Sequence, residues 1–267
     1  MRASARRIWG MIYRYVALYQ HSWPRMLELA YYPILQMFIW GFTATFIAGR
    51  LGTNRAALTG ATLLGGVLLW EVALRSQMGV AISFMEEMWS RNLGHIFVSP
   101  LRLWELVAAL LAMSFFRMTT GVLPAIALAY VLYAFNLFTL GPIIVLFFVN
   151  LMIMGWWIAL GVVSLILRHG AGAEPLAWTV LFGITPFAAV FYPVSVLPHV
   201  MQWAAFVVPA SHVFEGMRAV LTEQTVLWGQ LGWAFVLNMA WTGAAIVLFA
   251  RQFRAARVRG ALLTMGE

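Results

Sequence analysis

The chain has 267 residues with a mean hydropathy of +0.86, of which 63% are apolar and only 10% charged. A soluble domain carries ~25% charged residues, so a fully water-facing surface is excluded and an integral membrane protein is implied. All 17 basic residues are Arg, all nine acidic residues are Glu, and Lys, Asp and Cys are absent; this excludes disulfides, thiolate metal sites, a P-loop lysine and a Walker-B aspartate.

The chain is therefore not a conventional P-loop ATPase, and no cofactor is expected on it. Any ATP and Mg²⁺ that drive its work belong to another polypeptide. The formal charge of +8 is expected to reflect membrane topology, with no nucleic-acid partner.

Residues 1–22 do not read as a signal peptide, because Arg14 and Gln20-His21 interrupt the apolar run. At helical spacing Arg7, Gly10, Arg14, Ala17 and His21 share one face, and Ile8, Ile12, Tyr15 and Tyr19 another. This predicts an amphipathic helix in the membrane interface with its arginines toward the lipid head groups.

A helical span needs ~20 mostly apolar residues. Six stretches qualify: 26–48, 58–84, 106–133, 143–167, 176–192 and 231–250. Small residues at four-residue spacing, Ala61/Gly65, Thr62/Gly66 and Gly155/Ala159, permit close helix approach. The stretch 193–230 is apolar but broken by Pro193, Pro198 and Pro209. A re-entrant helical hairpin is expected there. A seventh span through 200–220 competes, but Glu215 and Arg218 fall inside that window.

With the N-terminus inside, twelve arginines fall on the cytoplasmic side, from Arg2 to Arg259, and only Arg50, Arg55 and Arg218 outside. The positive-inside rule then places both termini in the cytoplasm. The Arg251–Arg259 tail is able to bind anionic lipid.

Enzyme chemistry has nothing to stand on. The five histidines are scattered, and H-E-x-x-H and G-x-S-x-G strings are absent. Glu86 and Glu87 are adjacent, so on a helix they diverge by about 100° and cannot face each other across a substrate.

Two segments resemble a known family. The first runs from Phe84 through Glu86, Glu87, Met88, Trp89 and Arg91 to Val98-Ser99-Pro100-Leu101. The second is Phe191-Tyr192-Pro193-Val194-Ser195-Val196-Leu197-Pro198, followed by Pro209 and Arg218. Both are similar to the permease subunits of ABC-2-type exporters. The first departs from the family's usual run before Ser-Pro: Arg91-Asn92-Leu93-Gly94 stands where many members carry a Gly-Thr-Leu-Glu-like string. The resemblance implies an all-α integral membrane fold of six transmembrane helices. It adds an N-terminal interface helix, a cytoplasmic coupling helix and an external re-entrant hairpin marked by Pro193, Ser195, Pro198, Pro209 and Arg218. It also implies a separate ATP-binding-cassette subunit, a second permease copy or close paralogue, surrounding membrane lipid, and location in the inner membrane.

On this reading Glu86, Glu87, Met88, Trp89 and Arg91 form the surface that docks on the ATPase; a solvated loop that merely ends the second span is the plainer reading. Glu71, Arg75 and Arg117 lie within spans two and three. An uncompensated charge in mid-bilayer costs ~2.5–3.5 kcal/mol on insertion scales, so these three should pair inside the bundle. Glu71–Arg117 is one possible bridge and Arg75 a rival partner. The pair either lines a translocation path or holds spans two and three together. The function implied is ATP-driven export of a lipophilic, lipid-linked or saccharide substrate. An ion- or proton-coupled secondary transporter is the alternative.

Overall fold

A computed structural model describes residues 2–20, 22–50 and 53–259. Within the helices, the side chains of residues 2–3, 24–26, 28, 53–57 and 97 are not described. The architecture is all helical, with no strand among the described residues. The helices are α1 (Arg2–Gln20), α2 (Trp23–Ala48), α3 (Thr53–Trp89), α4 (Leu93–Val98), α5 (Leu103–Tyr133), α6 (Ile144–His169), α7 (Leu176–Ala188), α8 (His199–Phe206), α9 (Pro209–Glu223) and α10 (Trp228–Val258).

Four helical stretches among the described residues are long and apolar enough to cross a membrane: Leu58–Trp89, Leu103–Tyr133, Leu137–Ala173 and Trp228–Val258. They correspond to four of the six expected segments. The long helices overrun the expected segments, α3 continuing to Trp89 and α10 to Val258. In α3 the overrun takes in residues 53–57, which the sequence reads as loop; Leu51 and Gly52 of that loop lie outside the described residues.

The segment expected at 176–192 is different. Helix α7 has 13 residues, about 20 Å at 1.5 Å per residue, against ~30 Å of hydrocarbon. It stops at Ala189, which is left-handed at φ +55°.

Helix α3 is the centre of the bundle, packed by α2, α5 and α6. Glycine and serine let these helices meet backbone to backbone. A Cβ on Gly155 of α6 would lie 2.6 Å from the Ala73 carbonyl oxygen of α3, and one on Gly79 of α3 would lie 2.6 Å from Ser114 Cα of α5. A Cβ on Gly66 would lie 2.8 Å from the Val190 carbonyl oxygen. The small residues at Gly66 and Gly155 therefore serve contacts within this chain.

Buried polar groups tie the helices further. The Ser114 hydroxyl donates to the Ser76 carbonyl at 2.7 Å and accepts from Trp156 Nε1 at 3.0 Å. Gln77 Nε2 donates to the Ala177 carbonyl. Asn238 Nδ2 donates to the Asn150 backbone and side-chain oxygens, and Asn238 Oδ1 accepts from Trp157 Nε1. Each leaves a buried polar group partnered, as a low-dielectric interior requires.

Candidate functional site

The charged residues singled out by sequence form two groups along α3, Glu71 and Arg75 near its middle and Glu86, Glu87 and Arg117 at its C-terminal end. Glu71 accepts from Arg75 Nε at 3.1 Å within the same helix, one turn away. Arg117 of α5 instead reaches Glu86 at 2.8 Å. The structure therefore brings together Glu71–Arg75 and Glu86–Arg117, and not Glu71–Arg117. The i, i+4 spacing gives Glu71 a partner without any interhelical reach, and the long arginine stem carries the Arg117 charge toward the end of α3. The Arg117 guanidinium also lies 4.7 Å from the centre of the Tyr19 ring, and that of Arg75 lies 5.9 Å from Tyr32. Arg75, Glu86, Trp89, Arg117, Tyr19 and Trp178 line a cavity of about 320 Å³.

Two of the α1 arginines, Arg7 and Arg14, depart from expectation. Arg7 does not face head groups: its guanidinium grips the buried Glu105 carboxylate with two hydrogen bonds, of 2.6 and 2.8 Å. Those bonds raise the Arg7 pKa still further, so the pair stays ionised. Arg14 lies 3.0 Å from the buried Glu87 carboxylate. The two arginines are seven residues apart, two helical turns, and so share the face that meets the bundle. Tyr15 and Tyr19 are buried beside them. The outward side of α1 carries Trp9 and Tyr13.

The expected docking segment divides in two. Glu86 and Glu87 hold internal ion pairs, and Met88 is buried in the core. Helix α3 runs straight through all three, so they form its last turns and not a separate helix. A sharp cap then ends it. The Asn92 N–H donates to the Glu87 carbonyl and the Arg91 N–H to the Met88 carbonyl, with Arg91 left-handed at φ +54°. This is the Schellman pattern, with an arginine where glycine is usual. Asn92 Nδ2 also donates to Glu87 Oε2 at 2.7 Å. What the segment presents outward is Trp89, 52% exposed, then Arg91, His95 and, at the end of α4, Val98, 88% exposed. Trp89 Nε1 donates to Glu174 in the α6–α7 connection.

At the far end, each proline of the second motif starts a helical piece. Pro193 precedes the short turn 194–196, Pro198 precedes α8, and Pro209 opens α9, where a missing N–H costs nothing. The break after α7 exposes backbone groups that α9 satisfies. Arg218 Nη1 donates to the Ala189 carbonyl at 2.8 Å, and the Val194 N–H donates to Glu215 at 2.7 Å. Arg218 and Glu215 themselves pair at 2.9 Å. Arg218 thus supports the backbone break of this motif, and Ser195 lies exposed beside it. Helix α9 is buried along most of its length, and the chain breaks at Val207–Val208, so residues 200–220 do not form one continuous span.

The apolar helices of this bundle are those of a multi-pass membrane protein. The family model described as ABC-2 type transporter matches residues 13–222, and the chain belongs to that family. No curated protein matches the chain. Members of this family are membrane permeases that typically work with an ATP-binding subunit.

Proposed function

We propose that the chain is the permease subunit of an ATP-driven exporter in the inner membrane, working as a pair with a second copy or close paralogue. Helix α2 and the apolar segment 176–192, in which the chain continues past the end of α7, join the four apolar stretches above to make six spans with both termini in the cytoplasm. Helices α8 and α9 form a re-entrant hairpin on the outer side. Reporters fused after Asn136 and Leu197 should read outside and one fused after Gly170 inside; an outside signal at Gly170 would overturn this topology.

The observation that supports coupling to a separate ATPase is the capped end of α3. The cap turns the chain sharply and leaves Trp89 and Val98 exposed at the end of the bundle where the charged cavity opens. Apolar side chains ringed by Arg91 and His95 suit a groove in a cytoplasmic partner. Glu86, Glu87 and Met88 act behind this surface, joining it to α1 and α5. Motion delivered at α4 is thereby delivered to the ion pairs around the cavity. That cavity serves as the inner approach for the polar part of an amphiphilic substrate.

The test is to purify the chain with its ATP-binding subunit, reconstitute both in liposomes, and follow ATP hydrolysis and transport together. Trp89→Ala and Val98→Ser should each weaken subunit binding about tenfold, ~1.4 kcal/mol, and transport should fall with it. The folded permease should extract in unchanged yield. Transport that survives without any ATP-binding subunit and collapses with a protonophore would establish the secondary-transporter alternative instead.

A further inference from the structure

A second and larger cavity, of about 1110 Å³, lies between α8, α9 and the start of α10. We propose that it is a binding site for a neutral saccharide on the outer side of the permease.

Four aromatic rings line it. Trp203 is 77% exposed and Trp228 66%, with Phe206 and Trp233 also open to solvent. Phe206 packs on Trp233 at 5.4 Å between ring centres and on His212 at 5.6 Å, which holds this wall in place. Flat indole faces suit the C–H faces of pyranose rings, which are apolar although the ring edges carry hydroxyls. The hydroxyls need fixed donors and acceptors, and the same cavity supplies them. Gln202 gives its amide nitrogen to the Leu197 carbonyl, which leaves its side-chain oxygen as an acceptor. The His212 ring is held between the Phe206 carbonyl and the Gln230 side-chain amide, which leaves the other polar atom of that amide for a ligand hydroxyl. His199 and Ser195 complete the polar side. Pockets of this kind, apolar walls with a few positioned polar groups, are the usual form of small-molecule sites.

Charge selects within the possible ligands. Among the described residues no arginine lines the cavity, so a phosphate or carboxylate finds no guanidinium there. The carboxylate in its lining, Glu215, is already paired with Arg218 at 2.9 Å, so a quaternary ammonium finds that anion committed. Indoles that merely anchor the protein in the membrane interface do not require hydrogen-bonding side chains turned into the same hollow. A neutral sugar chain uses both features.

The inference deepens the export reading, since it rests on α8 and α9 lying outside. Binding is nevertheless measured without transport, which keeps the two separable. The full chain in nanodiscs is titrated calorimetrically with glucose-, mannose- and N-acetylglucosamine-based tetrasaccharides, and with tetramethylammonium. At least one tetrasaccharide should bind. Trp203→Ala and Gln202→Leu should each weaken it tenfold or more, with the thermal midpoint unchanged. Trp104→Ala, at the start of α5, should leave binding as it was. Binding of tetramethylammonium alone, or of no sugar, would overturn the proposal. So would sugar binding that is indifferent to both Trp203→Ala and Gln202→Leu, with Trp203 quenched by brominated lipid, which would make the indoles membrane anchors.

Discussion

Gly155→Leu should all but abolish recovery of folded permease after detergent extraction. A side chain there meets α3 on three sides, since even its Cβ would lie 2.6 Å from the Ala73 carbonyl oxygen, 2.7 Å from Ser76 Cβ and 2.8 Å from Gln77 N. Contacts of that kind cannot be relieved by a side-chain rotation, so α3 and α6 must separate. Overpacking a tight core costs ~1–3 kcal/mol where only side chains shift, and more where two long helices move. Total stabilities are ~5–15 kcal/mol, so such a loss is severe. Gly155→Ala should act in the same direction, and Gly79→Ala should do so against Ser114 of α5. Gly161 is the internal control. It lies on the same helix, and a Cβ added there would meet nothing within 4 Å, so Gly161→Ala should leave yield and thermal midpoint unchanged or slightly raised. If Gly155→Leu extracts as well as the parent, α3 and α6 do not approach as closely as this bundle requires.

These close approaches show what a linear pattern can and cannot carry. Spacing marks Gly155 and Gly66 as places where some helix comes near, but a four-residue repeat cannot say which helix. Hydropathy likewise marks the apolar run 176–192 but cannot register that Ala189 turns left-handed, because an alanine there looks like any other apolar residue. Pro193, Pro198 and Pro209 were legible as breaks for a direct reason: a proline ring cannot donate to the preceding turn and so favours helix starts. The groups that make those breaks tolerable, Arg218 on the Ala189 carbonyl and Glu215 on the Val194 N–H, depend on contacts across 29 and 21 residues. No local pattern announces them. The Asn150–Asn238 tie spans 88 residues and was equally silent.

The end of α3 shows a subtler limit. Composition marks Glu86 to Arg91 as the charged interruption between two apolar segments. Adjacent carboxylates at a helix end suggest solvent. Their partners come from elsewhere in the chain: Arg14 in α1 and Arg117 in α5. The signal available was the two-turn spacing of Arg7 and Arg14, which matches two carboxylates set on the bundle, Glu105 and Glu87. It follows that reversing Glu86 and Glu87 to arginine would not isolate partner docking, because it would put like charges against Arg14 and Arg117. Trp89 and Val98 are the positions that separate docking from folding.

The two ion pairs inside the bundle should be energetically distinct, and double substitutions should show it. Glu86 and Arg117 are both largely withdrawn from water, with side chains 12% and 3% exposed. Arg117→Ala removes the cation 2.8 Å from the Glu86 carboxylate, and breaking a buried pair from one side costs ~3–5 kcal/mol. The thermal midpoint of the purified chain should fall sharply. Adding Glu86→Gln should restore much of the loss, since a neutral amide no longer needs the cation. Adding Glu71→Gln should restore none of it, because Glu71 bonds to Arg75 and not to Arg117. The reciprocal cycle, Glu71→Gln rescued in part by Arg75→Met, should show coupling of its own, with no coupling across the two pairs beyond ~0.5 kcal/mol. Rescue of Arg117→Ala by Glu71→Gln would reverse the pairing and move Arg117 toward the middle of the bundle. With the pairing as found, the Arg117 charge sits beside Glu86 and Tyr19, and Glu86 stands three residues before Trp89 in α3. Any displacement of α4 by a partner then acts first on the charged contact that joins α3 to α5 at the mouth of the cavity.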